Sequence, residues 1–116
     1  MKVYGIKNCD TVKKALTWFD NNGIEYEFHD FKKLGVTEDK LKQWADKLGW
    51  EVLLNKRGTT WKKLDEETQG SITSPETACK VMQDKTSVIK RPVIETKDNL
   101  IIGFDEQALQ KYFQKQ

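Results

Sequence analysis

The chain has 116 residues, of which 37% are hydrophobic and 33% charged, and its formal net charge is +2. That length suits one compact domain with one small core, and the near-balanced charge calls for neither nucleic acid nor an anionic membrane as partner. Two cysteines, Cys9 and Cys79, stand far apart and a single histidine is present, so neither a disulfide framework nor a metal site is indicated.

The first apolar run, Val3-Tyr4-Gly5-Ile6, predicts a buried strand. Lys7-Asn8-Cys9 then turns the chain into a helix whose apolar residues Val12, Ala15, Leu16 and Phe19 recur at helical spacing. Asp10 or Thr11 is expected to cap that helix. A thiol at such a junction faces unpaired backbone N–H groups and the positive end of the helix dipole, and both favour thiolate over thiol. Lys7, Lys13 and Lys14 would add to this if they turn toward the sulfur, whereas the carboxylate of Asp10 works against it. The competing reading is structural: a small buried cysteine closing a strand–helix junction.

Asn21-Asn22-Gly23 stops the helix. Ile24-Glu25-Tyr26-Glu27-Phe28 alternates apolar and polar, as a strand with one buried face does. Two strands joined by one helix predict a parallel βαβ unit with a right-handed crossover. Residues 32–36 read as a loop. Thr37 caps a helix with Leu41, Trp44, Ala45 and Leu48 on one face, and Gly49 ends it. Asn55-Lys56-Arg57-Gly58 suggests a backbone excursion before Trp61, and a short charged helix and loop follow to Gly70. Ser74-Pro75 opens the next helix, with Ala78, Val81 and Met82 inward and Cys79 as a partly buried spacer at the edge. Val93–Thr96 and Leu100–Ile102 flank Lys97-Asp98-Asn99 as an antiparallel hairpin. Asp105 caps a last helix, with Ala108, Leu109, Tyr112 and Phe113 inward.

The sum is an α/β, thioredoxin-like layout. A βαβ unit and a ββα unit share a mixed four-stranded sheet in a single domain over residues 1–116, with an all-helical insertion over roughly 34–88. The chain shows no signal pattern and no apolar run of membrane-spanning length, so a cytoplasmic protein with reduced thiols is expected. Of 20 basic residues only two are arginine, Arg57 and Arg91. A planar guanidinium grips carboxylates and oxyanions in a way lysine cannot, which singles both out. The tryptophans read as packing, with Trp61 kept as a candidate pocket wall.

Three motifs carry a resemblance that covers nearly the whole length: Asn8-Cys9 after the first strand, Leu53–Trp61, and Lys90-Arg91-Pro92-Val93-Ile94. In their order and spacing the chain resembles the arsenate-reductase-like (ArsC, Spx and YffB) branch of the thioredoxin superfamily, and within it the small bacterial YffB-type proteins. The resemblance implies that Cys9 is the catalytic cysteine. It implies that Arg91 binds an oxyanion or carboxylate beside it. Pro92 would be the cis-proline that lies next to the active cysteine. Two departures bear on function. Arsenate reductases present three arginines, whereas here the first position is Asn55, with Arg57 two residues on, and the third is Gly103. Such a clamp holds a multiply charged oxyanion less firmly. The Spx branch carries Cys-x-x-Cys, whereas Val12 stands at the second position here, so no local resolving thiol exists.

The function expected from this resemblance is a glutathione-dependent thiol–disulfide reductase with one nucleophilic cysteine. Glutathione would be the co-substrate and resolve the mixed disulfide at Cys9. Asn8 and Thr11 would line the sulfur site. Arg57, Arg91 and the backbone before Pro92 would hold the small thiol, disulfide or oxyanion substrate. The protein is expected to work as a monomer. Arsenate reduction in the same pocket is one alternative. A non-enzymatic, Spx-like regulator that contacts RNA polymerase is the other.

Overall fold

The computed structural model describes residues 1–114. The chain divides into two compact units: Met1–Asp30 with the chain from Arg91 onward, and Phe31–Lys90.

In the first unit, β1 (Lys2–Gly5) is the second strand of a four-stranded sheet. It pairs in parallel with β2 (Glu27–Asp30) and antiparallel with β3 (Val93–Glu95), and β3 pairs antiparallel with β4 (Leu100–Ile102). The order is therefore β2-β1-β3-β4, the mixed sheet that the βαβ and ββα patterns predict. Val3 lies opposite Phe28 on one side and Ile94 on the other, and Ile94 lies opposite Ile101. These four residues share one face because side chains alternate along strands. That face packs on α1 (Asp10–Asn21) through Ala15, Trp18 and Phe19, and on α8 (Glu106–Gln114) through Leu109.

Several boundaries differ from the sequence reading for local reasons. The second strand starts at Glu27, not Ile24, because the Ile24 N–H folds back to the Phe19 carbonyl at 2.9 Å. Ladder pairing begins where the Glu27 N–H reaches the Met1 carbonyl. In α8, Leu109 is buried and Tyr112 and Phe113 half-buried, but Ala108 is exposed. It lies one residue outside the stripe that faces the sheet. Asp105 does cap α8, accepting from the Ala108 N–H at 3.2 Å.

Tyr112 ties α8 to the β3–β4 turn. Its hydroxyl donates to Asp98 Oδ1 at 2.5 Å and stands 2.8 Å from Thr96 Oγ1. Tyr112→Phe keeps the ring and loses this tie. It is expected to cost about 1 kcal/mol of stability in urea unfolding, the usual net worth of one such hydrogen bond.

The second unit is all helical apart from one isolated bridge between Leu54 and Ile89. It holds α2 (Phe31–Leu34), α3 (Glu38–Leu48), α4 (Trp50–Leu53), α5 (Thr59–Lys63), α6 (Glu66–Ser71), α7 (Pro75–Asp84) and a 3-10 turn at Thr86–Val88. Thr37 caps α3, and Ser74 and Thr77 form a reciprocal capping box on α7. Phe31–Leu34, read as a loop beyond residue 31, is a single helical turn whose Phe31 is buried edge-on to Trp44. Cys79 is fully buried, not at an edge: it shares the inward face of α7 with Ala78 and Met82.

Candidate active site

The turn that carries Cys9 is closed by a hydrogen bond from its own N–H to the Ile6 carbonyl at 3.2 Å, with Lys7 and Asn8 at the exposed corner. The Cys9 carbonyl then accepts the first helical bond, from the Lys13 N–H at 3.0 Å. Cys9 is extended (φ −106°, ψ 123°) and is itself the N-cap of α1. Neither Asp10 nor Thr11, the caps expected from sequence, takes that place: Asp10 is already the first helical residue. Placing the cap at Cys9 has a chemical consequence. An N-cap side chain points at the N–H groups of the second and third helical residues, here Thr11 and Val12. A capping thiol offers them a weak acceptor, and the side chain makes no cap hydrogen bond. A thiolate offers a full negative charge.

The ionisation of Cys9 reflects that arrangement. Burial is the largest single influence and pushes the thiol up. The Val12 N–H, the hydrogen bond and positive charge of the Arg91 guanidinium, and the Thr11 N–H all favour the thiolate. Together they outweigh burial, and the Cys9 pKa falls below the ordinary thiol value. Cys9 as a whole residue is partly exposed.

Arg91 arrives through the sheet. Tyr4 pairs with Val93, so Arg91 and Pro92, just before β3, stand at the end of β1 from which the Cys9 turn departs. The Arg91–Pro92 peptide bond is cis. The Pro92 carbonyl accepts from the Gly103 N–H at 2.8 Å, which brings Gly103 alongside. Gly103 has φ +82°, a left-handed conformation that disfavours any other residue there.

The structure thus gathers Asn8, Cys9, Thr11, Arg91 and Pro92 at one end of the first unit. Asn8 and Thr11 are both exposed there, Asn8 in the turn and Thr11 in the first turn of α1. Arg57 belongs to the other unit, on an exposed loop where its N–H donates to Asn55 Oδ1 at 3.2 Å. Trp61, in the same unit, carries the Lys56 ammonium over its ring at 5.6 Å. Cys79 is a free thiol in that second unit. Its pKa is raised, first by burial and then by Glu38, against a smaller opposing effect of Lys42. Among the described residues, no group of three or more His, Cys, Asp or Glu side chains could hold a metal ion, and no helix is long and apolar enough to cross a membrane.

Two contributors escaped sequence reasoning. The Val12 N–H acts on the sulfur although the Val12 side chain is wholly buried in the core. Gly5 lets β1 approach that same valine. Its signal was a glycine inside an apolar strand pattern, which often marks a close backbone approach.

Residues 4–112 match the model of the ArsC family. An uncharacterised protein of Haemophilus influenzae is 45% identical over 111 residues, covering 96% of each chain. The solved structure of the YFFB (PA3664) protein superposes with a TM-score of 0.90 at 40% identity, covering 95% of this chain and 96% of that one. An arsenate reductase (ArsC) related protein from Brucella melitensis superposes with a TM-score of 0.76 at 41% identity, covering 97% and 92%. With its mixed thioredoxin-like sheet and with Cys9 capping α1 beside Arg91, the chain belongs to the ArsC family.

Proposed function

We propose that the protein is a single-cysteine thiol–disulfide reductase that works with glutathione. The observation that carries this reading is the setting of Cys9: a partly exposed residue at a helix N-cap, its sulfur faced by two backbone N–H groups and a guanidinium that lower its pKa. A lowered pKa enlarges the thiolate fraction, and the thiolate is the nucleophile.

The chemistry runs in two exchanges. The Cys9 thiolate attacks the glutathione sulfur of a mixed disulfide. A Cys9–glutathione bond forms, the substrate S–S bond breaks, and the departing thiolate takes a proton from solvent. A second glutathione thiolate then attacks the glutathione sulfur now bound to Cys9. Glutathione disulfide leaves and Cys9 returns as thiolate. The two electrons that reduce the substrate come from the glutathione sulfurs. The resolving thiol comes from outside because residue 12 is valine and Cys79 is buried with a raised pKa. In this reading Arg91 holds a glutathione carboxylate, and Asn8 and Thr11 border the sulfur. A glutathione-rich cytoplasm is the matching compartment.

Arg91 beside a thiolate would also suit an oxyanion, so arsenate is the informative rival substrate. The test is reduction of a glutathionylated peptide at millimolar glutathione, with arsenate assayed in parallel and adducts mapped by mass spectrometry. Peptide reduction with a glutathione adduct on Cys9 is the expected result. Arsenate turnover alone would favour the rival, and a Cys9 that forms no adduct with oxidised glutathione would sink the reductase reading.

A further inference from the structure

Gly5 has an ordinary backbone conformation, so no left-handed φ requires glycine there. What requires it is space. A Cβ built on Gly5 would stand 2.7 Å from Val12 Cγ2 and 3.3 Å from Cγ1, against the 3.4 Å at which ordinary contact begins. Val12 cannot easily yield. It is wholly buried, and a β-branched side chain in a helix has one strongly preferred χ1 rotamer. The strain of a larger residue at position 5 would pass to the Val12 backbone, in the first turn of α1. That turn ends at the Cys9 cap, and its N–H groups are the ones that face the sulfur.

We propose that Gly5 is a positioning residue for the Cys9 thiol: its bare Cα lets the first turn of α1 seat against β1, and so sets where the Val12 and Thr11 N–H groups stand relative to the sulfur. The inference deepens the reductase reading and rests on it for its biological meaning, but its test reads the thiol directly. The glycine acts through Val12, not on substrate.

The steric cause suggests its own rescue. The two atoms that a new Cβ would crowd are the Val12 methyl carbons, and the Val12 Cβ lies at an ordinary 3.6 Å. Val12→Ala removes both methyls and keeps the N–H. The experiment is the pH dependence of iodoacetamide alkylation, with the adduct located on Cys9, in wild type, Gly5→Ala and the double variant Gly5→Ala/Val12→Ala. In Gly5→Ala, Cys9 alkylation near pH 6.5 is expected to slow by about three- to tenfold, with the rate recovered at high pH, because a smaller thiolate fraction accounts for the loss. The double variant is expected to recover the wild-type profile. A purely structural glycine would lower stability without moving that profile.

A Gly5→Ala protein that keeps the wild-type profile would overturn the proposal, as would a double variant that folds but keeps a shifted one. Should Gly5→Ala fail to fold, the double variant decides alone: it must fold and titrate like wild type, and either failure counts against the inference. The two readings fail separately. A fast thiol that is indifferent to Gly5 leaves the reductase reading standing. A thiol sensitive to Gly5 that never exchanges with glutathione removes the reductase reading and leaves this one.

Discussion

Cys9→Ser is expected to lower thiol–disulfide turnover by about a thousandfold or more, to the uncatalysed background, while leaving the fold intact. Serine cannot form the mixed disulfide on which both proposed exchanges depend, and its hydroxyl is not ionised at neutral pH. The same substitution is benign for structure. Position 9 is the N-cap of α1, and serine is among the residues that best cap a helix. Its oxygen can accept from the Thr11 or Val12 N–H, which the neutral thiol does poorly. At acid pH, where Cys9 is neutral, stability should therefore be unchanged or rise, by at most about 1 kcal/mol, whereas at alkaline pH serine forgoes the contribution of the thiolate. Turnover measured beside thermal unfolding checks both halves. Residual activity above a tenth of wild type would mean that the nucleophile lies elsewhere. A large loss of stability would mean that the cap has been misread.

Arg91→Ala is expected to reduce kcat/KM by about ten- to a hundredfold near neutral pH. A hydrogen bond to a charged group is worth about 1.5–3 kcal/mol, which corresponds to roughly that range. Two losses contribute, and pH separates them. The guanidinium favours the thiolate, so its removal raises the Cys9 pKa and moves the acid limb of the activity profile to higher pH. At high pH the thiolate is fully formed in both proteins, and the deficit that persists there reports lost contacts to substrate. Arg91→Lys should recover part of the thiolate effect, because the charge remains, and little of the binding, because the bidentate fork is gone. An Arg91→Ala profile that is uniformly depressed with an unmoved acid limb would assign Arg91 to substrate alone. The same linkage acts on stability. Because folding lowers the Cys9 pKa, its ionisation stabilises the native state fully above the unfolded thiol range near about 8.5, and that contribution fades as pH falls through the folded value. The fading should be weaker in Arg91→Ala.

Much of the architecture could be read from pattern. The apolar run around Val3, the helical spacing of Val12, Ala15 and Phe19, and the hairpin around Asp98 are local signals, and the elements formed where those signals lie. They are legible because periodicity and turn chemistry act within a few residues. The misplacements are equally physical. Asp10 and Thr11 are better caps than cysteine on propensity, yet the cap falls wherever the chain leaves the extended conformation, and the turn from Ile6 places that point at Cys9. Ile24 alternates like a strand residue but gives its N–H to the end of α1. Cys79 sits on the apolar side of α7, and the packing of that unit, not the helix by itself, determines how deeply it is buried.

The sequence by itself determined that one cysteine sits at a strand–helix junction, that no second cysteine follows it within the turn, and that an arginine–proline pair precedes a hairpin. Those are facts of order and spacing, and they point to the chemistry of a lone nucleophilic thiol. Tertiary structure decided what makes the thiol acidic. β1 must pair with β3 before Arg91 can reach the sulfur, and β1 must close on α1, across a glycine with no room for a methyl group, before the Val12 N–H faces it. Both are contacts between elements distant in the chain or across its turn. They depend on sub-ångström packing, which no local pattern of residue types encodes.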